Sequence, residues 1–253
     1  MELFDAHAHL AAAEFAGDLP EVLVRAEAVG VRGIVAVGET LEEAERILAL
    51  ADRHSLAKPA AGLYPTVLDV DAAEAVVDFV RRHAAHLVAL GEVGLDHWVV
   101  KDEAGWMIQE KILKKFVDLS NELGLPLNVH SRSSGRRCIA FLREQRARHV
   151  LLHAFDGKAA AAVDGVQAGY FFSIPPSVVR SAQKQKLVRS LPLDHILLET
   201  DSPVLGPDPS LRNEPMNVTI ACQAVAHLRG LPPEEVARIT TENARRLFPR
   251  AFT

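Results

Sequence analysis

Six side chains in this sequence have the chemistry of metal ligands: His7, His9, Glu92, His130, His153 and Asp201. Neutral imidazoles and carboxylates hold transition metals, and carboxylates also hold harder divalent cations. His7 and His9 stand two apart at the end of an apolar run, so on a strand both rings share one face. Singly, each of the six has a plain structural explanation. A His-x-His pair can be solvated, Asp201 can cap a helix, His153 can be a hydrogen-bonded core histidine and Glu92 a surface acid. The set is more informative than its members, because every one closes a segment that reads as a β-strand.

Those segments are short, β-branched or leucine-rich. They are Leu3–His9, Gly33–Gly38, Lys58–Leu63, Leu87–Glu92, Pro126–His130, His149–His153, Tyr170–Ile174 and His195–Asp201. Between them run stretches with apolar residues three and four apart, such as Leu41, Ala44, Ile47, Leu48 and Ala51, or Ile108, Ile112, Leu113, Phe116, Val117, Leu119 and Leu123. Strands alternating with helices predict βαβ units and a parallel sheet. Continuous apolar runs such as Ile34-Val35-Ala36-Val37 fit strands buried on both faces. Eight strands in 253 residues predict a closed (β/α)8 TIM barrel, with a doubly wound open sheet as the rival. In a barrel, residues ending five different strands converge on one mouth, where such folds build their sites. A proline-rich stretch, 202–215, follows the last strand, and two helical segments, Met216–Leu228 and Pro233–Phe248, close the chain.

Four histidines and two carboxylates exceed what one catalytic zinc requires. They predict two divalent ions (Mg, Mn or Zn), with Glu92 bridging, His7, His9 and Asp201 around one ion, and His130 and His153 on the other. Water activated between such ions attacks phosphorus or a carbonyl carbon. Asp201 is expected to orient that water or accept its proton.

Composition narrows the alternatives. Hydrophobic residues make up 49% and charged residues 24% of the chain, the balance of a globular protein with a sizeable core. One domain spanning residues 1–253 is expected. The net charge is -5, so no overall basic field marks a binder of long duplex nucleic acid. Two cysteines far apart imply neither a disulfide framework nor a thiolate metal site. The start is acidic where a signal peptide would be basic, and no apolar run approaches the roughly 18 residues of a spanning helix. These features predict a cytoplasmic protein with no membrane partner and no obligatory protein partner.

Several motifs then resemble the TatD family of metal-dependent hydrolases, many of them described as deoxyribonucleases, within the amidohydrolase-like barrels. They are Phe-Asp-Ala-His-Ala-His-Leu (4–10), Gly-Glu-Val-Gly-Leu-Asp (91–96), Val-His-Ser-Arg (129–132), Leu-Leu-Glu-Thr-Asp-Ser-Pro (197–203), Arg-Asn-Glu-Pro (212–215) and Thr-Thr-Glu-Asn-Ala-Arg-Arg-Leu-Phe (240–248). The resemblance covers nearly the whole chain in family order. It implies the same six ligands, catalytic roles for Asp201 and Glu92, a role for Glu199, and DNA or another phosphodiester as substrate. The sequence departs from the family at the rim: Tyr64 stands where many members carry histidine, His97-Trp98 where an aromatic pair is usual, and Ala154 in the common position of cysteine. The loop before Arg212 also lacks the His-Arg-Gly-Lys run of many bacterial relatives.

Arg132 and Arg212 are the expected phosphate contacts, with Arg180 and Lys184 as further candidates. Trp98 and Tyr64 are expected to stack on a base. The alternative function is a small-molecule amidohydrolase or lactonase on the same two-metal site. A barrel serving only as a binding scaffold fits poorly with six retained ligands.

Overall fold

The computed structural model describes residues 1–253. Its eight strands are β1 (Leu3–Ala8), β2 (Val31–Ala36), β3 (Ala57–Ala61), β4 (Ala89–Gly94), β5 (Leu127–His130), β6 (Val150–Leu152), β7 (Phe171–Ile174) and β8 (Ile196–Leu198). They form one parallel sheet in the order β1 to β8. The helices are α1 (Leu19–Ala28), α2 (Leu41–Ala51), α3 (Val70–His83), α4 (Glu103–Leu123), α5 (Gly135–Glu144), α6 (Ala159–Gln167), α7 (Ala182–Ser190), α8 (Val218–Arg229) and α9 (Pro233–Leu247). This is the (β/α)8 TIM barrel, not the open sheet. None of its helices is long and apolar enough to cross a membrane.

Two apolar layers explain why the strands read as continuous hydrophobic runs. Ile34, Ala36, Val150, Leu152, Ile196 and Leu198 belong to the large cluster between sheet and helices. Their neighbours Val35, Val37, Leu151 and Leu197 belong to a smaller cluster with Phe4, Ala60 and Phe248. Alternate residues thus face opposite ways, and both faces are dry.

The alternation is interrupted at two places. The β1–β2 register shifts between Asp5 and Ala8, and the β4–β5 register shifts between Leu90 and Val93. Such irregularities re-aim side chains and are common beside sites. Here they let His7 and Glu92 turn toward the mouth although Ala6 packs in the inner cluster. Close strand approach at β4 needs small residues: a Cβ on Gly94, whose φ is +150, would meet the His130 carbonyl oxygen at 2.0 Å.

The barrel closes without a regular ladder between β8 and β1. The closing bonds come from the segment just past β8: Asp201 N donates to His7 O at 2.9 Å and His9 N to Ser202 O at 2.8 Å. Asp201 holds a left-handed φ of 53, a region that Asp tolerates better than most residues. Behind this seam the buried Asp5 carboxyl accepts from His7 N at 3.2 Å and Thr200 N at 2.9 Å, and its second oxygen lies 2.5 Å from Thr200 Oγ1.

Candidate metal centre

His7 lies in β1 with His9 just beyond it, and Glu92 sits in the middle of β4 rather than at a strand end. His130 ends β5, His153 follows β6, and Asp201 stands three residues past β8. The mouth of the barrel nevertheless brings all six together. One oxygen of Glu92, Oε2, is 3.5 Å from His7 Nε2 and 3.5 Å from His9 Nε2. Asp201 Oδ1 is 3.4 Å from His7 Nε2 and 3.2 Å from His9 Nε2, and the two imidazole nitrogens are 3.2 Å apart. The other oxygen, Oε1, is 2.7 Å from His130 Nδ1 and 2.9 Å from His153 Nε2, with those nitrogens 3.3 Å apart.

This donor set fits divalent metal. Ligands about 2.0–2.1 Å from a tetrahedral ion are separated by about 3.4 Å, from the geometry of the tetrahedron. Five of the six spacings among His7 Nε2, His9 Nε2, Asp201 Oδ1 and Glu92 Oε2 lie between 3.2 and 3.5 Å. Glu92 Oε2 is also buried without a hydrogen-bond partner, which is costly unless a cation satisfies it.

Two of the imidazoles, His7 and His130, are backed by a hydrogen-bonded group that fixes their orientation, as metal-binding histidines usually require. Asn128 Nδ2 donates to Ala6 O at 2.9 Å, which leaves Asn128 Oδ1 to accept from His7 Nδ1 at 2.9 Å. His7 Nε2 is thereby the nitrogen directed at the site. His130 Nε2 lies 3.0 Å from Asp96 Oδ2, turning Nδ1 toward Glu92. The other oxygen of Asp96 accepts from Trp98 N and Val99 N at 2.8 and 2.7 Å. Replacing Asp96 by Asn should weaken metal binding about 10- to 100-fold without unfolding the protein. Metal titration followed by circular dichroism checks this, and unaltered affinity would remove Asp96 from the role.

Glu199 lies beside His7 and His153, with which it forms one of the groups that could hold a metal ion. It is fully buried, accepting from Ala154 N at 2.8 Å and Ser173 Oγ at 2.6 Å, with Oε2 3.9 Å from His153 Nδ1. It does not line the cavity. Burial pushes its carboxyl up to about 8. Its hydrogen bonds tie β7 to the turn after β6.

Burial pushes imidazoles toward the neutral form, but the carboxylates here reverse that for three of them, His7, His9 and His130. His7 is raised to about 10 by the hydrogen bond and charge of Glu92, with Asp201 and Glu199 behind. His130 is raised to about 9 by Asp96 and Glu92. His153 follows its burial and the nearby charge of His7 down to about 4. Without metal, His7 and His130 therefore carry protons at neutral pH that a cation must displace. Metal affinity should rise between about pH 6 and pH 8, by about tenfold per unit for each proton released. Manganese calorimetry in buffers of different ionisation enthalpy counts those protons, and a pH-independent affinity would contradict the assignment.

Above the donors lies a cavity of about 680 Å³ whose wall includes Tyr64, Arg132, Ser131, Lys184 and Glu39. Tyr64 packs edge-on to His130, their rings 5.2 Å apart. Trp98 is 56% exposed and stands on the rim outside the cavity wall. The Arg132 guanidinium lies 5.2 Å from its ring and Lys101 Nζ 4.8 Å. Arg212 is placed elsewhere. It binds Glu14 O at 2.6 Å, both oxygens of Asp18 at 2.7 and 2.6 Å, and Glu214 at 2.9 Å. Its donors are thus taken up in clamping the loop after β8 to the chain around α1.

Glu39, Asp96 and Asn128 were not singled out from sequence. Glu39 Oε1 is 3.7 Å from His9 Nδ1, and its position just after the second strand run obeys the rule that selected the others. Asp96 and Asn128 lie in or beside quoted motifs, but only the fold shows which imidazole each one backs.

A closed parallel barrel with clustered histidines and carboxylates at the C-terminal mouth of its strands defines the class of metal-dependent barrel hydrolases. The family described as TatD related DNase matches residues 4–249. The chain is similar to the Homo sapiens protein named Deoxyribonuclease TATDN3, at 44% identity over 98% of this chain and 95% of that protein. It is 36% identical to the Bacillus subtilis (strain 168) protein named Uncharacterized metal-dependent hydrolase YabD, over 97% of this chain and 98% of the other. The crystal structure of YJJV, a TatD homologue from Escherichia coli K12, superposes with a TM-score of 0.90 at 28% identity, covering 98% of both chains. The chain belongs to the TatD-related DNase family.

Proposed function

We propose that this chain is a divalent-metal-dependent deoxyribonuclease whose single barrel domain, residues 1–253, cleaves phosphodiester bonds in DNA with activated water. The observation that carries this reading is the division of Glu92: one oxygen faces His7 and His9, which also meet Asp201, and the other faces His130 and His153. That arrangement suits two ions (Mg, Mn or Zn) sharing one carboxylate. Such ions, when bound, lower the pKa of water and neutralise charge on phosphate oxygens. The names of the relatives supply the direction of the reading: the human protein is called a deoxyribonuclease and the Bacillus one a metal-dependent hydrolase.

The chain's own residues do the rest. Asp201 lines the cavity, and the imidazoles of His9 and His7 hold its carboxyl below the usual range despite burial. It is therefore an ionised carboxylate able to orient water or take its proton. Arg132 lines the same cavity and is the side chain placed to grip a substrate phosphate. Trp98 on the rim offers a face on which a base can stack, and Tyr64 narrows the wall. Arg212, saturated by its ion pairs, is no part of this proposal. The net charge of -5 suits a strand end better than a long duplex.

The test is hydrolysis by EDTA-stripped protein after adding back Mg, Mn or Zn. Single-stranded DNA, double-stranded DNA, small phosphodiesters, amides and lactones are compared. Metal-dependent release of nucleotides supports the proposal. Turnover of amides or lactones alone would transfer the site to the small-molecule reading.

A further inference from the structure

Lys184 is the one lysine or arginine among the buried residues, 8% exposed, in the first turn of α7. Its Nζ donates to Ala154 O at 2.8 Å, and no carboxylate lies within ion-pair distance of it. An ammonium carries three N–H donors, so this one hydrogen bond leaves two unused. Burial disfavours this charge, and Glu199, Asp201 and Asp156 support it only from beyond ion-pair distance. The same side chain lines the cavity over the metal centre. Its two unused donors and its charge are open to an anion entering that cavity.

A second, independent atom points the same way. Ser131 is 3% exposed, its Oγ is buried without any hydrogen-bond partner, and it too lines the cavity. Around the mouth, Ser131 and Arg132 follow β5, Ala154 follows β6 and Lys184 follows β7, so the three polar groups border the His130–His153 side of the site.

We infer that Lys184 and Ser131, together with Arg132, form a cradle for a tetrahedral oxyanion, the phosphoryl group of the substrate, and act as substrate-positioning residues. The inference rests on the phosphodiester hydrolysis proposed above. It adds Ser131 and Lys184 to Arg132 along the part of the mouth that follows β5 to β7. Lys184 supplies charge and two donors, and Ser131 supplies one hydroxyl donor whose lack of a partner is met when the phosphate arrives. The hydrogen bond to Ala154 O keeps the ammonium directed at the cavity and ties it to the turn that carries His153.

The experiment uses metal-loaded full-length protein: wild type, Ser131→Ala, Lys184→Met and Lys184→Arg. Metal content is measured first, then the Kd for inorganic phosphate, then KM and kcat on short single-stranded DNA. Lys184→Met should weaken phosphate binding and raise KM by about tenfold or more, as expected for hydrogen bonds to a charged group. Lys184→Arg should recover part of the loss. Ser131→Ala should weaken both roughly threefold while leaving thermal stability unchanged or higher, because it removes an unpaired buried hydroxyl. Metal content should not change in any variant. Either substitution leaving phosphate affinity at the wild-type value removes that residue from the cradle. Should Lys184→Met fail to fold, Ser131→Ala and Lys184→Arg still decide the matter. Phosphate binding that depends on these residues in a protein that cleaves no DNA would keep the cradle and overturn the nuclease reading. DNA cleavage with unaltered variants would do the opposite.

Discussion

Replacing Glu92 by Gln is expected to abolish hydrolysis, with a loss on the order of 10³ or more, because metal assistance contributes several kcal/mol to such reactions. The substitution keeps the volume of the side chain, so the barrel should remain folded. What it removes is the negative charge whose two oxygens face the two donor groups. One of those oxygens becomes an NH2 group, a donor where a cation needs an acceptor. Metal content after dialysis should fall along with activity. A further signature follows from the imidazoles: His7 and His130 owe much of their raised basicity to Glu92, so both should titrate at lower pH in the metal-free variant. NMR titration of the ring protons reads this directly. Activity within tenfold of wild type would refute the shared-carboxylate centre.

Removing the Asp5 side chain is expected to destabilise the protein by about 3–5 kcal/mol, the range for breaking a buried hydrogen-bonded polar cluster. Its carboxyl ties Thr200 to the backbone beside His7, so Asp5→Ala loosens the closing seam of the barrel. The Thr200 hydroxyl donates to Asp5 Oδ2 at 2.5 Å and lies 3.0 Å from Ser202 Oγ, whose own hydroxyl can donate to it. Burial pushes the Asp5 carboxyl from 3.8 up to about 7, against these hydrogen bonds. Asp5→Asn keeps the side chain neutral and should be mild near pH 6. The folded state holds the Asp5 proton up to about pH 7 while the unfolded chain releases it near 3.8. This group's contribution therefore falls as pH rises through that window. Thermal melts of EDTA-treated protein should show a pH-dependent difference between wild type and Asp5→Asn; parallel melts would place the ionised form in the seam instead.

The barrel was legible because both of its periodicities survive in sequence: apolar runs on the strands, and spacings of three and four on α2 and α4. Strand ends were less so. Glu92 falls inside β4 and Asp201 beyond β8 because a register shift and a non-ladder closure, both tertiary, decide where pairing stops. The six side chains still meet at one mouth, since one or two residues of error along a strand leave a side chain on the same side of the barrel. Arg212 shows the opposite limit. Nothing local distinguishes a phosphate-gripping arginine from a clamping one; its partner Asp18 is 194 positions away. Glu199 likewise shares a strand with Asp201, yet the hydroxyl of Ser173 and the Ala154 N–H keep it behind the imidazole rather than in the cavity.

The seam between His7–His9 and Asp201–Ser202 also governs when the molecule can become active during its own synthesis. The first donor group joins residues from the two ends of the barrel, so it cannot exist on a ribosome-bound chain until the eighth strand has emerged. Glu92, His130 and His153 are all translated earlier, and their group is complete on paper some fifty residues sooner. A nascent chain thus has at most half a centre while it folds from its N-terminal side. Hydrolytic competence arrives with barrel closure, in the same step that secures the fold.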